Sequence, residues 1–204
     1  MAIDLPALPY APDALEPQLS ATALKHHHQH HLALVEALNN QVADTGFQAM
    51  ALPGIIRQAR GPLHSTAAEV WNHQFFWHSL RPAPRSASEA NPNTGSVTGP
   101  EAGALATAID DAFGSFDGLR DQFNALALSL PGSGWVWLVQ RRHGSLALVA
   151  TVNAGNPLTG TDTPLLACDI WEHAYLIDHP GRLDAWLDAF WQLVDWPAVA
   201  ARLA

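Results

Sequence analysis

The chain has 204 residues, of which 48% are apolar and 14% charged, a composition typical of a folded globular protein and not of a disordered one. Its formal net charge of -9 argues against nucleic-acid binding, which requires clustered lysine and arginine, so we expect no nucleic-acid partner. No apolar run is long enough to span a bilayer and no signal peptide is recognisable, and with the single cysteine this favours a cytoplasmic location.

The first half of the chain is predicted to be helical. Residues 1–17 are rich in proline and are expected to form an extended arm. Residues 21–42 contain no glycine or proline, carry apolar side chains at helical spacing, and follow Ser20, a candidate N-cap. After a loop around Gly46, a second helix is predicted over about 66–80. Two helices with a short connection indicate a helical hairpin.

The second half mixes helices with short strands. Residues 81–100 are rich in Pro, Ser, Asn and Gly and are predicted to be a loop, and residues 101–129 are helical in character with breaks at Gly114 and Gly118. Three β-prone runs and a tryptophan-rich helix then follow, over 135–140, 146–152, 164–170 and 183–203. The pattern predicts an α+β fold with a helical N-terminal half.

Histidine is unusually frequent, with 11 in the chain, and it is clustered. Five of these residues lie in one helical run: His26, His27, His28, His30 and His31. On a helix His26 and His30 share one face, while His27 and His31 share a neighbouring face, so one or two at most can point into a given site. The run by itself is equally consistent with a solvated surface patch that binds metals weakly.

Two further segments carry candidate metal ligands. His73 lies among aromatic residues and is expected to be buried, and Asp169 and His173 can converge if a strand ends at Asp169 and a helical turn follows. Each signal is weak alone, because buried histidines usually only bond a carbonyl. Together, imidazoles and one carboxylate suit iron or manganese, and zinc could occupy the same set.

Motifs along nearly the whole chain resemble the iron/manganese superoxide dismutase family. The segments that carry the resemblance are 5–10 (LPALPY), the His26-x3-His30-His31 motif, 67–73 (AAEVWNH), 132–138 (GSGWVWL) and 169–175 (DIWEHAY). The last of these is highly specific, and the loop near 81–98 looks longer than in the family.

The resemblance implies a fold and a ligand set. An N-terminal arm and antiparallel helical hairpin over 1–85 would pack on a C-terminal α/β domain over 86–204 that contains a three-stranded antiparallel sheet. One iron or manganese ion, with iron favoured, would lie between the domains. By position, the ligands would be His26 and His73 from the hairpin, and Asp169 and His173 from the second domain.

The resemblance also implies an activity and an assembly. The reaction would convert superoxide to dioxygen and hydrogen peroxide, and the chain would be an antioxidant oxidoreductase. His30, at the mouth of the site, and Glu69, near the metal, would be the catalytic residues beyond the ligands. Family members are dimers or tetramers, and a homodimer is expected with Glu172 at its interface. Four tryptophans would wall the site: Trp77, Trp135, Trp137 and Trp171.

Several positions around the expected site depart from the family pattern. Leu34 and Leu176 stand where the family has tyrosines, and leucine cannot form hydrogen bonds. Glu69 replaces the glutamine of iron-type members, and Ala154 stands where manganese-type members have theirs, which favours the iron-type arrangement. Arg182 is adjacent to, but not in register with, a family arginine near the substrate funnel.

Two hypotheses therefore remain open at the level of sequence. In the first, the protein is a working superoxide dismutase, whether fast or slow. In the second, it is a metal-binding relative with weak or no dismutase activity, which has another redox chemistry or a structural or interaction role. Changes around a retained ligand set can cost about 10- to 100-fold in affinity or activity, so both are compatible with the residues.

Overall fold

A computed structural model of the protein describes residues 2–83, 97 and 99–204. The predicted domain boundary at 85/86, and most of the loop predicted near 81–98, lie outside these residues. Within the described part of the chain, no helix combines the length and the hydrophobicity needed to cross a membrane.

The N-terminal half is a helical hairpin, as predicted. Its helices are α1 (Ala21–Val42), α2 (Leu52–Gln58) and α3 (Gly61–Trp77). The short helix α2 was not predicted, and α3 begins earlier than expected because Pro62 is tolerated in a first turn, where its missing N–H needs no partner. The hydroxyl of Ser20 accepts from the backbone N–H of Ala23 and caps α1, as the sequence indicated.

Helices α1 and α3 run antiparallel. The start of α1 lies beside the end of α3, where His27 and Trp77 have ring centroids 4.6 Å apart. Near the other end, the amide of Gln41 donates to the hydroxyl of Thr66 at 3.0 Å. The N-terminal arm is tied to α1 by a pair of bonds, since Asn39 accepts from the N–H of Ile3 and donates to its carbonyl, both at 2.8 Å.

The C-terminal half is an α/β domain. Its elements in chain order are α4 (Ala104–Phe113), α5 (Phe116–Ser129), β1 (Gly134–Gln140), β2 (Leu146–Val152), β3 (Thr163–Asp169), α6 (Glu172–Tyr175), α7 (Leu183–Leu193) and α8 (Trp196–Ala200). The predicted break at Gly114 is confirmed, because this residue ends α4 with a left-handed φ of 80°. The break predicted at Gly118 is wrong, since Gly118 lies inside α5, where a Cβ would meet the Phe113 carbonyl oxygen at 2.3 Å.

The three strands form one antiparallel sheet in the order β2-β1-β3. The predicted three-stranded antiparallel sheet is confirmed. Strand β1 is central and buried along its whole length, and its Trp135 pairs with Asp169 at the end of β3. The next pair, Val136 with Cys168, has its side chains on the other face, as the alternation of a strand requires, and the Cys168 thiol is buried.

Two apolar clusters meet at the boundary between hairpin and sheet. The smaller cluster lies within the hairpin, and the larger one surrounds the sheet and contains most of the buried tryptophans. Helix α1 is anchored to the C-terminal half because Asp178 accepts from both the N–H and the hydroxyl of Ser20, each at 2.7 Å. The buried polar side chains at this boundary form the candidate site described next.

Candidate metal centre

The face of α1 that turns towards the protein interior carries His27, not His26. The buried positions of this helix advance in steps of three and four residues, at Leu24, His27, His31, Val35, Leu38 and Val42. His27 is completely buried, whereas His26 is exposed. The prediction that His26 is the α1 ligand is therefore corrected to His27.

The error has a geometric origin. The motif places one histidine four residues before another, and both His26–His30 and His27–His31 satisfy this spacing. The two pairs differ by one residue, which rotates the face by about 100° on an α-helix. The apolar series through Leu24 and Val35 was the signal that selects His27, because only that phase continues it. Sequence reasoning did not extend this series to His27.

Three imidazole nitrogens gather around one carboxylate oxygen. The Nε2 atoms of His27, His173 and His73 lie 3.0, 3.1 and 3.6 Å from Oδ2 of Asp169, and the Nε2 atoms of His73 and His173 are 3.3 Å apart. Each of the four residues offers a ligand atom within 4.8 Å of the others. Ligands held at about 2.1 Å from one ion and separated by about 90–120° are about 3.0–3.6 Å apart, so this arrangement fits a single metal ion.

The hydrogen bonding of His27 supports the same conclusion. Neither of its ring nitrogens has a hydrogen-bond partner, although the ring is completely buried. Its Nε2 is close to Asp169 but is not aligned for a hydrogen bond. Burying an unpaired polar group is costly, and coordination of an ion would satisfy Nε2.

Neighbouring groups orient the other ligands. The Nδ1 atom of His73 bonds the Glu69 carbonyl at 2.8 Å, so Nδ1 carries the proton and Nε2 keeps its lone pair for the site. The second oxygen of Asp169 accepts from the N–H of Trp171 at 2.9 Å, and the indole N–H of Trp186 donates to the Asp169 carbonyl at 2.8 Å. These bonds fix the carboxylate at the strand end, where the sequence placed it.

The ionisation states suit metal binding. Burial lowers the pKa of both His27 and His73, which keeps the imidazoles neutral and their lone pairs available. For Asp169, burial would raise the pKa, but the neighbouring His173 and His27 rings outweigh it and hold the pKa well below its ordinary range. The centre thus presents three imidazole nitrogen donors and one carboxylate, a set that suits a first-row transition metal.

Glu69 and His30 lie beside the centre. The Oε2 atom of Glu69 accepts from the indole N–H of Trp135 at 3.2 Å, and its buried Oε1 has no partner. Burial, assisted by the charge of Asp169, raises the pKa of Glu69 to about 8 against the effect of the Trp135 bond. His30 is half-buried, and its ring centroid lies 4.2 Å from that of His173. Burial lowers the pKa of His30 to about 4.

Indole rings wall the centre on three sides. Trp77, Trp135 and Trp171 contact the rings of His27, His73 and His173 at centroid distances of 4.6, 5.1 and 5.7 Å. Trp137, the fourth predicted wall residue, packs instead against Trp135 at 5.9 Å.

Leucines stand at the two positions where the family pattern led us to expect tyrosines. Leu34 packs with the smaller, hairpin cluster and its neighbour Val35 is also apolar. Leu176 is 50% exposed. Of the chain's two tyrosines, Tyr10 donates its hydroxyl to the Trp77 carbonyl at 3.2 Å and Tyr175 lies in α6.

Comparisons with known proteins agree with the fold. Residues 2–81 match the α-hairpin domain of the iron/manganese superoxide dismutases, and residues 101–202 match their C-terminal domain. The chain belongs to the iron/manganese superoxide dismutase family. More narrowly, it is 45% identical over 205 residues to the iron superoxide dismutases of Escherichia coli strain K12 and Salmonella typhimurium, covering 100% of each chain. The iron superoxide dismutase of Legionella pneumophila is 43% identical over 204 residues with the same coverage. The predicted family, fold and enzyme class are confirmed.

Proposed function

We propose that this protein converts superoxide to dioxygen and hydrogen peroxide at one iron ion held by His27, His73, Asp169 and His173. The observation that carries the proposal is the convergence of three Nε2 atoms on Oδ2 of Asp169 in a buried pocket. Full-length relatives named for iron support the choice of metal, as does Ala154, which offers no amide where manganese-type members have glutamine.

The chemistry divides between the metal and the protein. Bound iron would accept an electron from one superoxide and donate an electron to a second. The carboxylate of Asp169 contributes one negative charge, which partly neutralises the charge of the cation. The surrounding indole rings exclude bulk water. The overall reaction consumes two superoxide ions and two protons for each dioxygen and hydrogen peroxide, so the chain must also manage protons.

Glu69 is the residue we assign to that task. Its raised pKa keeps the carboxyl neutral at pH 7, and because Oε2 accepts from Trp135, the proton resides on Oε1. A neutral carboxylic acid donates a hydrogen bond, as the amide of the family's glutamine does. His30, at the mouth of the site, would position incoming superoxide beside His173. Without a hydroxyl at Leu34 or Leu176, proton delivery lacks two family groups, and we expect a slow enzyme.

We further propose that two copies of the chain form a homodimer through the surface around α6. Glu172 is exposed on this helix, and within the described residues Nδ1 of the neighbouring ligand His173 has no hydrogen bond. Leu176 and Ile177 are 50% and 43% exposed on the same turn. A partner's Glu172 would accept from Nδ1 of His173 while the two leucine–isoleucine pairs become buried.

The single buried thiol is compatible with a cytoplasmic location, which we also propose.

The function is tested by loading the purified protein with iron and measuring the decay of superoxide. We expect one iron per chain and a decay faster than that given by the same concentration of free iron. The matched control is Asp169→Asn, which should lose both the iron and the acceleration. A fully loaded protein that does not accelerate decay would contradict the proposal and favour a metal-binding relative with another role.

A further inference from the structure

The histidine run of α1 contains two imidazoles, those of His26 and His30, that are not ligands of the metal centre. His26 is exposed and has no hydrogen bond or ion pair within the described residues, and His30 is half-buried and likewise has no hydrogen bond. Neither residue is required by the packing of α1, whose buried face is the series that contains His27 and His31. Two histidines in this state call for an explanation.

The spacing of the two residues is that of a helical metal chelate. Residues four apart on an α-helix lie one turn apart on the same face, with Cβ atoms about 5–6 Å apart. Two histidines at this spacing can bind one divalent ion from a single helix face, as in the HExxH motif of zinc enzymes. Copper and nickel bind nitrogen sites most strongly among the divalent first-row ions, so they are the best probes of a site with two ligands.

The position of the pair relative to the centre is equally informative. The side chains of Asp169 and His73 are 0% exposed, whereas that of His173 is 13% exposed, so His173 is the solvent-facing edge of the ligand set. His30 stands against that edge, with its ring 4.2 Å from the ring of His173 and 5.4 Å from that of His73. His26 is exposed, whereas His30 and His173 are both half-buried, so the three imidazoles lead from the surface to the centre.

We propose that His26 and His30 form a second, outer site that binds a divalent transition-metal ion and passes it to the buried centre. The outer site stands on the residues of α1 alone, whereas the transfer step rests on the proposed function, because it needs the centre as acceptor. No electron moves in the transfer: the ion exchanges two imidazole ligands for the buried set and remains divalent.

The outer site is tested by titrating the metal-free full chain with Ni²⁺ and measuring bound nickel by equilibrium dialysis. We expect two ions per native chain, one tight and one weak. His26→Gln and His30→Gln should each weaken the outer ion by at least about tenfold, since loss of a ligand should cost no less than loss of a ligand's hydrogen-bond partner. His143→Gln, which removes an exposed histidine from the turn between β1 and β2, should keep both ions.

A variant of the centre separates this proposal from the proposed function. Asp169→Asn should lose the tight ion and keep the weak one. If His26→Gln leaves the affinity of the weak ion unchanged, the outer site is overturned. The outer site is also overturned if His30→Gln weakens binding of the tight ion alone, because His30 would then belong to the centre. A tight ion unaffected by Asp169→Asn instead overturns the buried centre and leaves the outer site standing.

The transfer step is tested separately. The measured quantity is the rate at which Ni²⁺, supplied in limiting amount, binds at the buried centre of the metal-free chain. We expect His26→Gln to fill the centre several-fold more slowly than the native chain and His143→Gln to fill it at the native rate. If the native chain, His26→Gln and His143→Gln all bind the ion at the centre at the same rate, the outer site does not deliver metal and the proposed transfer is wrong.

Discussion

Glu69 is the residue whose chemistry differs most from what its place in the family would supply. A glutamine there is neutral at every pH, whereas a buried glutamic acid is neutral only while it keeps its proton. The charge of Asp169 raises the pKa of Glu69, whereas the hydrogen bond from the indole of Trp135 lowers it. In the unfolded chain Glu69 has its ordinary pKa of 4.5. Because this pKa differs from that in the folded chain, the stability of the protein depends on pH.

The metal-free native chain should lose stability through Glu69 as the pH rises from about 4.5 to about 8. In that range the unfolded chain has released the proton and the folded chain retains it, so unfolding releases a proton and becomes more favourable. The loss amounts to about 1.4 kcal/mol for each unit of pKa difference. Glu69→Gln should therefore gain a few kcal/mol relative to the native chain between pH 5 and pH 8, measured by urea unfolding.

The matched control is Glu36→Gln, which changes an exposed glutamate on α1. Its free energy of unfolding should follow the native pH profile. If Glu69→Gln and the native chain show parallel profiles between pH 5 and pH 8, then Glu69 is ionised in the folded protein and the proton-holding role assigned to it is wrong.

At the scale of elements, helix α1 decides which histidine enters the centre. Its rotation is fixed by the apolar residues on the interior face and by its anchoring at Ser20, whose cap and bonds to Asp178 hold the first turn against the C-terminal half. A cap of this kind contributes about 1 kcal/mol. Rotating the helix by one residue to bring His26 inward would expose Leu24 and Leu38, each of which is now no more than 1% exposed to solvent.

The phase of α1 is tested by exchanging the two neighbouring histidines separately. His27→Gln should lose iron from the centre, because a glutamine cannot supply the buried imidazole nitrogen, and the loss in affinity should exceed about 100-fold. His26→Gln, given excess iron and time to equilibrate, should retain one iron per chain by elemental analysis. The reverse pattern would show that α1 presents the other face and that the correction from His26 to His27 is itself mistaken.

Across the whole molecule, the centre is assembled from both halves of the chain. His27 and His73 come from the hairpin, while Asp169 and His173 come from the end of β3 and the turn of α6. Removing the ion should therefore loosen the boundary between the halves more than it loosens either half. A homodimer built on α6 would extend this dependence to a second copy, because His173 would share a bond with the partner's helix.

The dimer is tested by sedimentation of the iron-loaded protein. Leu176→Asp should shift the chain towards the monomer, because it places a charge in the proposed apolar contact. Glu172→Gln should weaken iron retention by about 10- to 100-fold, since His173 loses the carboxylate that orients it. Leu128→Asp, at a leucine that is 55% exposed on α5, should change neither property. A native chain that is monomeric when loaded would contradict the proposed interface.

The sequence determined the elements and most of the site. Breaks in apolar periodicity, a capping serine and β-branched runs located the hairpin and the sheet, because these signals act within a few residues. They missed α2, the early start of α3, where Pro62 is tolerated in the first turn, and Gly118, which the close Phe113 carbonyl requires inside α5. Asp169, His173 and His73 were predicted because the segments around them resemble family motifs, although each signal is weak by itself.

What only the tertiary structure decided was the rotation of α1 and the surroundings of Glu69. The spacing of histidines along α1 is the same in two phases, and only the burial of a whole helix face against the rest of the protein chooses between them. The proton on Glu69 depends on desolvation and on the distant partners Trp135 and Asp169, which no local pattern encodes. Local rules thus specify which residues can bind a metal, and packing specifies which of them meet.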